Sequence, residues 1–417
     1  MNKNLQILTK YKGMKMYTFV DNIPEFEFNE FAANHINTHL LQSYQWAQVK
    51  DAYKPLYVGV KQEGRLVATA LILIRSLPLG QKFAYIPRGP LIDFTNQDLL
   101  KFFSDNLKKI AKDNGCFMIR MDPGIAYKTY KVEEKEQAEV SEYGKNVIDT
   151  LKNNGYIHRG LPLKMHDSFQ PRFVAIVRLD DNTVNNYQTR LKSSLRRIQK
   201  RGTKIESGTY QFLDEMSSMI KLTESRKNVN LRDREYFKLL LNVYPETAKI
   251  YLAYLTPKKN IEVFTEKMDD LQSELDQIKD KSPKKAHRLN EQIDSLKLLI
   301  EELEDVKDEE KTVIGSMLKI DFGNIVNLLY AGTDVKFSKF SPQEFIYDHI
   351  IKESIEKGNQ YVDMGGVEGS LDDGLTFFKA KFSPDIVEYI GEFDIPLSFK
   401  YKLFNFAWNM RQKSRKR

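Results

Sequence analysis

From Leu56 onward, apolar and polar positions alternate with the two-residue period of half-buried strands: LYVGV, a polar turn at Gln62-Glu63-Gly64, RLVATALILI, then KFAYIPRGPLID. This pattern predicts a β-meander. The period then changes, placing Leu99, Leu100, Phe103, Leu107 and Ile110 on one stripe of a helix from about Asn96 to Asn114, and CFMIRM closes at Asp122-Pro123 as a strand does. The same order returns later with different residues: AKIYLAYL, TVIGSMLKI, a turn at Asp321-Phe322-Gly323-Asn324, IVNLLYAGT, a helix from about Pro342 to Glu356, and YVDMGG. Strand, strand, strand, helix, strand thus occurs twice, which predicts a duplicated α/β (α+β) domain.

The copies differ at one joint. Gln-Glu-Gly links the leading strands of the first, whereas about fifty residues separate Leu255 from Thr312 in the second. Met268, Leu271, Leu275 and Ile278 step by threes and fours, as do Ala286, Leu289, Ile293, Leu296, Ile300 and Leu303, with Ser282-Pro283 between the two runs. Proline cannot continue a helix interior, so the pattern predicts an antiparallel coiled-coil helical arm whose ends stay close together. The expected division is a first domain over 1–166 completed by 390–417, a second over 167–389, and the arm over 257–311.

With 41% apolar and 12% aromatic residues, 417 residues can fill two cores. The single cysteine, Cys116, cannot form an internal disulfide and sits in the apolar run CFMI, so it reads as a buried strand thiol in a reducing, cytoplasmic setting. The N-terminus shows no signal-peptide pattern, and the longest uncharged apolar run, Leu66 to Ile74, is too short for a bilayer. Net charge is +7, concentrated in two places. RLKSSLRRIQKRGTK holds Arg190, Lys192, Arg196, Arg197, Lys200, Arg201 and Lys204 without an acidic residue, and the tail adds Arg411, Lys413, Arg415, Lys416 and Arg417. Each stretch reads either as a solvated helix face or as a surface for phosphates, of a nucleic acid or of anionic lipid.

The usual catalytic signatures are missing: no G-x-S-x-G, Walker A or Rossmann fingerprint occurs, and His35 and His39 lack the glutamate of a zinc-protease helix. GGVEGS lacks phosphate-cradling spacing and reads as a flexible strand-to-helix turn. Three spots combine charge with aromatic rings. QSYQWAQVK sets Trp46 one helical turn from Lys50; NLRDREYF gathers Arg232, Asp233 and Tyr236 at a helix start; GLTFFKAKFSP places Lys379 between Phe378 and Phe382. An arginine so placed can grip a phosphate or carboxylate bidentately, whereas a lysine among rings can equally well snorkel.

In order and surroundings, QSYQWAQVK, AYIPRGPLID, MIRMDP, KSSLRRIQKRG, LRDREYF, LLYAGT and FFKAKF resemble the FemABX (Fem/Mur) aminoacyltransferases across nearly the whole chain. The resemblance implies two GNAT-like acyltransferase domains, many members carrying a coiled-coil arm in the second. It implies transfer of an amino acid from aminoacyl-tRNA to an amine of the lipid-linked or UDP-linked muropeptide precursor, building the peptidoglycan interpeptide bridge that supports cell shape. Carried across residue by residue, it implies substrate contacts at Lys50, Arg232, Tyr236, Tyr330 and Phe378, with Lys379 and Asp122 at the chemistry. One position departs from the pattern: Phe117 stands where a relative has a tyrosine.

Turning an ester into an amide runs downhill, so the implied work is to hold the amine beside the ester, help it lose a proton and stabilise the oxyanion. Lys379 would serve as oxyanion stabiliser and Asp122 would orient or deprotonate the amine, unless the proton leaves through the substrate. No metal or organic cofactor is implied; aminoacyl-tRNA is a co-substrate. Arg196, Arg197, Lys200 and Arg201 would meet tRNA phosphates, together with the arm tip KDKSPKKAHR, which otherwise reads as a spacer or protein-docking arm. Peripheral contact with the inner membrane leaflet through the basic tail, and a homologous aminoacyltransferase partner, complete the expectation. The rivals are a GNAT N-acyltransferase using acetyl-CoA, whose Q/R-x-x-G-x-G/A turn neither copy contains, and an inactive tRNA-binding scaffold.

Overall fold

The computed structural model describes residues 17–227, 232–278 and 281–415, the side chains of 79, 407–409 and 411–415 excepted. The chain divides into two compact units: Met1–Thr183 with Asp321–Asn327 and Gly358–Arg417, and Val184–Ile320 with Leu328–Lys357. This grouping by compactness is not the grouping by repeat that the expected boundaries at 166 and 389 follow.

The first unit opens with β1 (Tyr17–Asp21), α1 (Glu25–Asn34), β2 (Tyr53–Gln62), β3 (Arg65–Ser76), β4 (Lys82–Ile86) and β5 (Leu91–Ile92). β2, β3 and β4 form the expected antiparallel meander, with Tyr57 opposite Leu71 and Leu73 opposite Tyr85. α2 (Gln97–Asp113) then carries the chain back so that β6 (Cys116–Met121) lies parallel to β4, since a parallel neighbour requires a crossover. Asn96 caps α2 by accepting from the Leu99 N–H at 3.1 Å, and Leu99, Leu100, Phe103 and Leu107 bury in the core with Val58, Ile72 and Ile119. Ile110 sits at the margin of that stripe, only partly buried. KFAYIPRGPLID is not one strand: Pro87 and Pro90 have no N–H for the ladder, so β4 stops at Ile86 and β5 pairs with β3 instead. Cys116 is a buried strand thiol, as expected, and burial pushes it up to about 11.

After β7 (Ala126–Tyr130), α3 (Glu142–Asn153), β8 (Ile157–His158) and β9 (Phe173–Arg178), the second unit begins with α4 (Thr189–Lys200), β10 (Lys204–Gly208), α5 (Leu213–Lys227), α6 (Arg234–Val243) and β11 (Ala248–Leu255). The insertion follows as α7 (Pro257–Ile278) and α8 (Pro283–Glu304), then β12 (Thr312–Phe322), β13 (Ile325–Thr333) and α9 (Pro342–Glu356). Leu255 pairs with Thr312 across the base of the insertion, so the helices leave and rejoin a continuous hairpin. Leu275, Ala286, Leu289 and Ile293 bury against one another, with Met268, Leu271 and Ile278 packed beside them. Pro283 stands at the first position of α8, where its missing N–H costs nothing. Lys279 and Asp280 of the tip lie outside the described residues.

The chain returns to the first unit as β14 (Tyr361–Gly366), α10 (Gly374–Ala380), β15 (Asp385–Tyr389), β16 (Phe393–Pro396) and α11 (Lys400–Arg415). β14 runs parallel to the first residues of β13, Ile325 opposite Tyr361, so the second copy closes as the first does. β16 pairs with β6 and β8, giving one sheet of order β1-β2-β3-β4-β6-β16-β8, while β14, β9, β15 and β7 neighbour one another in that order in the other. Among the described residues no helix is long and apolar enough to cross a membrane.

Candidate functional site

Residues 44–49 form a 3-10 helix rather than an α-helix, and Lys50 caps it with its ammonium 5.0 Å from the centre of the Trp46 ring. Both side chains line a cleft of about 320 Å³, together with Tyr53, Arg75, Tyr85 and Phe169. Arg75 is a cleft cation that the sequence reading missed; it lies over the Tyr53 ring at 5.6 Å and donates to its hydroxyl at 3.4 Å. A cationic residue closing the apolar run of β3 was the available signal.

Asp122 follows β6 and is buried. Its Oδ1 accepts the Arg88 N–H at 2.8 Å and the Tyr85 hydroxyl at 3.1 Å. Burial pushes its carboxyl up to about 7, with the Arg88 charge pulling the other way and Glu392 adding to the push. Arg88 itself was not foreseen. It is 3% exposed, adopts φ +53°, lies 4.2 Å over the Tyr389 ring and donates through Nη2 to Pro171 O at 2.5 Å. Phe117, where the hydroxyl is missing, is buried with its ring 5.3 Å from that of Phe404.

Lys379 lies on the seven-residue helix α10, which Asp373 caps by accepting from the Leu375 and Thr376 N–H groups. The lysine turns inward, 3% exposed, and donates to Gly365 O at 3.0 Å and Gly366 O at 2.9 Å. The glycine-rich turn therefore serves as the lysine's acceptor. Gly365 adopts φ +83°, and a Cβ on Gly366 would meet the Pro171 ring at 2.6 Å. Burial pulls the Lys379 ammonium down to about 8, against the carboxylates of Asp363 and Asp373. Asp363 is pushed up by burial and held down by the Gly365 N–H, Lys379 and Arg88. Asp122, Arg88, Tyr389 and Lys379, all buried, and the half-buried Asp363 thus form one polar group within the first unit. Phe378 is half-buried beside it, its ring 5.8 Å from Phe382.

In the second unit, Asp233 caps α6 by accepting from the Tyr236 N–H at 2.9 Å. This leaves Arg232 exposed just ahead of the helix, its guanidinium 4.7 Å over the Tyr236 ring. The Tyr330 hydroxyl donates to that of Tyr236 at 3.3 Å, and burial with Tyr330 pushes the Tyr236 phenol up. The structure therefore gathers Arg232, Tyr236 and Tyr330, whereas Leu231 of the same motif lies outside the described residues. On α4, Leu191, Leu195 and Ile198 are buried and Ser194 donates to Glu344. Arg196, Arg197 and Lys200 are exposed, while Arg201 is half-buried and donates to Lys339 O. Arg197, Lys200 and Arg201 border a groove of about 260 Å³ with Lys267, Phe264 and Leu296. The side chains of Arg411, Lys413 and Arg415, and all of Lys416 and Arg417, lie outside the described residues.

His35 and His39 act locally, each Nδ1 accepting a backbone N–H two residues on, from Asn37 and Leu41. Burial, with the Arg88 charge, drives the His39 pKa well down.

The model of the FemAB family matches residues 23–409. Lipid II:glycine glycyltransferases of Staphylococcus aureus, strains bovine RF122 / ET3-1 and USA300, are each 27% identical over 403 residues, covering 90% of this chain and 92% of the relative. A crystal structure of FemX superposes with a TM-score of 0.73 at 26% identity, covering 93% of this chain and 99% of that one.

Proposed function

The chain belongs to the FemAB family, and on that premise we propose that it is an aminoacyltransferase of cell-wall interpeptide bridge synthesis. The donor is an aminoacyl-tRNA and the acceptor is an amine of the lipid-linked precursor's stem peptide or growing bridge. The observation that carries this reading is Lys379. An ammonium has three N–H groups, two of which are held by Gly365 and Gly366 O; the third has no hydrogen-bond acceptor among the described residues and is a donor for a ligand.

The acceptor amine attacks the ester carbonyl, forming a C–N bond and a tetrahedral oxyanion, to which the remaining Lys379 N–H donates. Collapse breaks the C–O bond to the terminal ribose, and the proton lost by the amine ends on the departing hydroxyl. Asp122, with its carboxyl near 7, accepts or relays that proton, or holds the donors that shape the site. Lys50 and Arg75 take the diphosphate and Phe378, in the same unit, contacts the remainder of the acceptor; Arg232, Tyr236 and Tyr330 offer a substrate contact of their own within the second unit. Arg196, Arg197, Lys200 and Arg201 meet tRNA phosphates. That the relatives are lipid II:glycine glycyltransferases supports a lipid-linked acceptor and makes glycine the first amino acid to test.

The test mixes purified protein, lipid-linked precursor and a pool of radiolabelled aminoacyl-tRNAs, and follows label into the lipid fraction. Label above the no-enzyme control is expected, and its amino acid supplies the specificity. Absence of label with both the bare precursor and one already carrying a bridge residue overturns the proposal.

A further inference from the structure

Helix α11 has two unlike faces. At 3.6 residues per turn, Tyr401, Phe404 and Asn405 fall on one side, and that side is anchored. Tyr401 and Phe404 pack with Phe83, Tyr85, Phe117 and Met118, the Tyr401 hydroxyl donates to Asp394 at 3.1 Å, and Asn405 accepts from Arg159 at 2.5 Å. The opposite side carries Leu403, Phe406 and Met410, in line with Phe399 just ahead of the helix; they are 67%, 67%, 58% and 74% exposed. Single exposed apolar residues are ordinary, but four at helical spacing make a continuous stripe.

Charge completes the pattern. Lys400 and Lys402 are exposed and, by the same helical geometry, flank the stripe on either side. Of the chain's 64 basic and 57 acidic residues, seven basic and no acidic ones lie in 399–417, so the remainder balances and the tail holds the entire net charge of +7.

We propose that α11 is an interfacial helix that seats the protein on an anionic phospholipid surface, with its stripe among the acyl chains and its lysines at the headgroups. The charge selects this occupant. A second copy of the chain would bring the same seven uncompensated cations against these, whereas a nucleic acid would match the charge and leave the stripe in water. Tyr85 and Phe169 tie the helix to the cleft of Lys50 and Arg75, because both pack in the cluster that seats α11 and both line that cleft. The benefit to a lipid-linked acceptor rests on the proposed reaction; binding to lipid does not.

The test sediments the full chain with vesicles of phosphatidylcholine alone or mixed equally with phosphatidylglycerol. Binding to the mixed vesicles is expected, at least about tenfold stronger than to the neutral ones and weakened by salt. The Phe399→Ser/Leu403→Ser/Phe406→Ser variant should lose at least about tenfold in partition, and Lys400→Gln/Lys402→Gln about tenfold on mixed vesicles only. If the stripe variant melts early, the lysine variant decides. Undiminished binding by the lysine variant, no binding by the wild type, or a lipid-free dimer that the stripe variant dissolves overturns the proposal. In vesicles, the stripe variant should transfer poorly to lipid-linked precursor and normally to a water-soluble stem peptide. Failure of the wild type on both acceptors would count against the reaction and leave the vesicle result standing.

Discussion

A lysine ammonium leaves water at a cost that hydrogen-bond acceptors and counter-charges must offset. Lys379 has two carbonyls and nearby Asp363 and Asp373, yet still ends near 8. At neutral pH it is mainly cationic, so Lys379→Met should lower kcat at least about a hundredfold while changing the KM for precursor by less than about twofold. Steady-state kinetics decides; unchanged turnover would remove Lys379 from the mechanism. As pH rises through about 8 the cation is lost, and the rate should fall there unless the amine's own deprotonation compensates. Asp122 bears on stability instead. Its folded-state carboxyl near 7 stands above the ordinary 3.8, so between those values the folded chain keeps a proton that the unfolded chain has released, and stability declines as pH rises across the window. Asp122→Asn should flatten that decline, read as the difference in melting temperature between variant and wild type from pH 4 to 7. A parallel profile would mean that the carboxyl titrates normally.

Elements were legible where one periodicity ran unbroken. Leu99, Leu100, Phe103 and Leu107 announce α2, and the heptad steps around Leu275 and Leu289 announce α7 and α8, because burial of one face fixes the spacing. KFAYIPRGPLID was less legible, since its apolar content reads as strand while its prolines veto the ladder. GGVEGS was opaque for another reason: the acceptor role of Gly365 and Gly366 depends on a lysine fourteen and thirteen residues onward. Gly366→Ala tests that role. Its Cβ would press on the Pro171 ring at 2.6 Å, so we expect a loss of about 1–3 kcal/mol in stability and a fall in kcat, because the carbonyl holding Lys379 must move. Wild-type kcat in a correctly folded Gly366→Ala protein would show that Lys379 tolerates a displaced acceptor. The distal arm carries its own apolar cluster, whereas Phe264 near the base stacks on Phe340. Replacing 270–292 with a short turn should therefore leave the melting temperature of the remainder within a few degrees, roughly the shift of 1 kcal/mol. A larger drop would show that the distal helices support the unit beneath.

At the scale of the whole chain, the sequence supplied motif order but not the buried partners. Lys50, Asp122, Phe378 and Lys379 fall in one compact unit and Arg232, Tyr236 and Tyr330 in the other. Arg88, Asp363 and Tyr389 were missed because a lone polar residue inside an apolar stretch leaves no periodic trace. Surface charge was more legible, because an acid-free run needs no fold to be noticed. On α4 the structure separates its members: Arg201 is tied to Lys339 O, while Arg196, Arg197 and Lys200 reach solvent. None of these four makes an ion pair among the described residues, so their charge is available to a polyanion. Phosphate contacts release counterions, and each one lost weakens binding and flattens its salt dependence. Reversing Arg196, Arg197 and Lys200 to Glu should raise the KM for aminoacyl-tRNA at least about tenfold at physiological salt and lower the salt slope by about three. The KM for precursor should stay the same, which separates lost tRNA contact from a damaged fold. An unaltered tRNA KM and slope would return these residues to the plain role of keeping a helix face in water, and the tRNA phosphates would have to be met elsewhere.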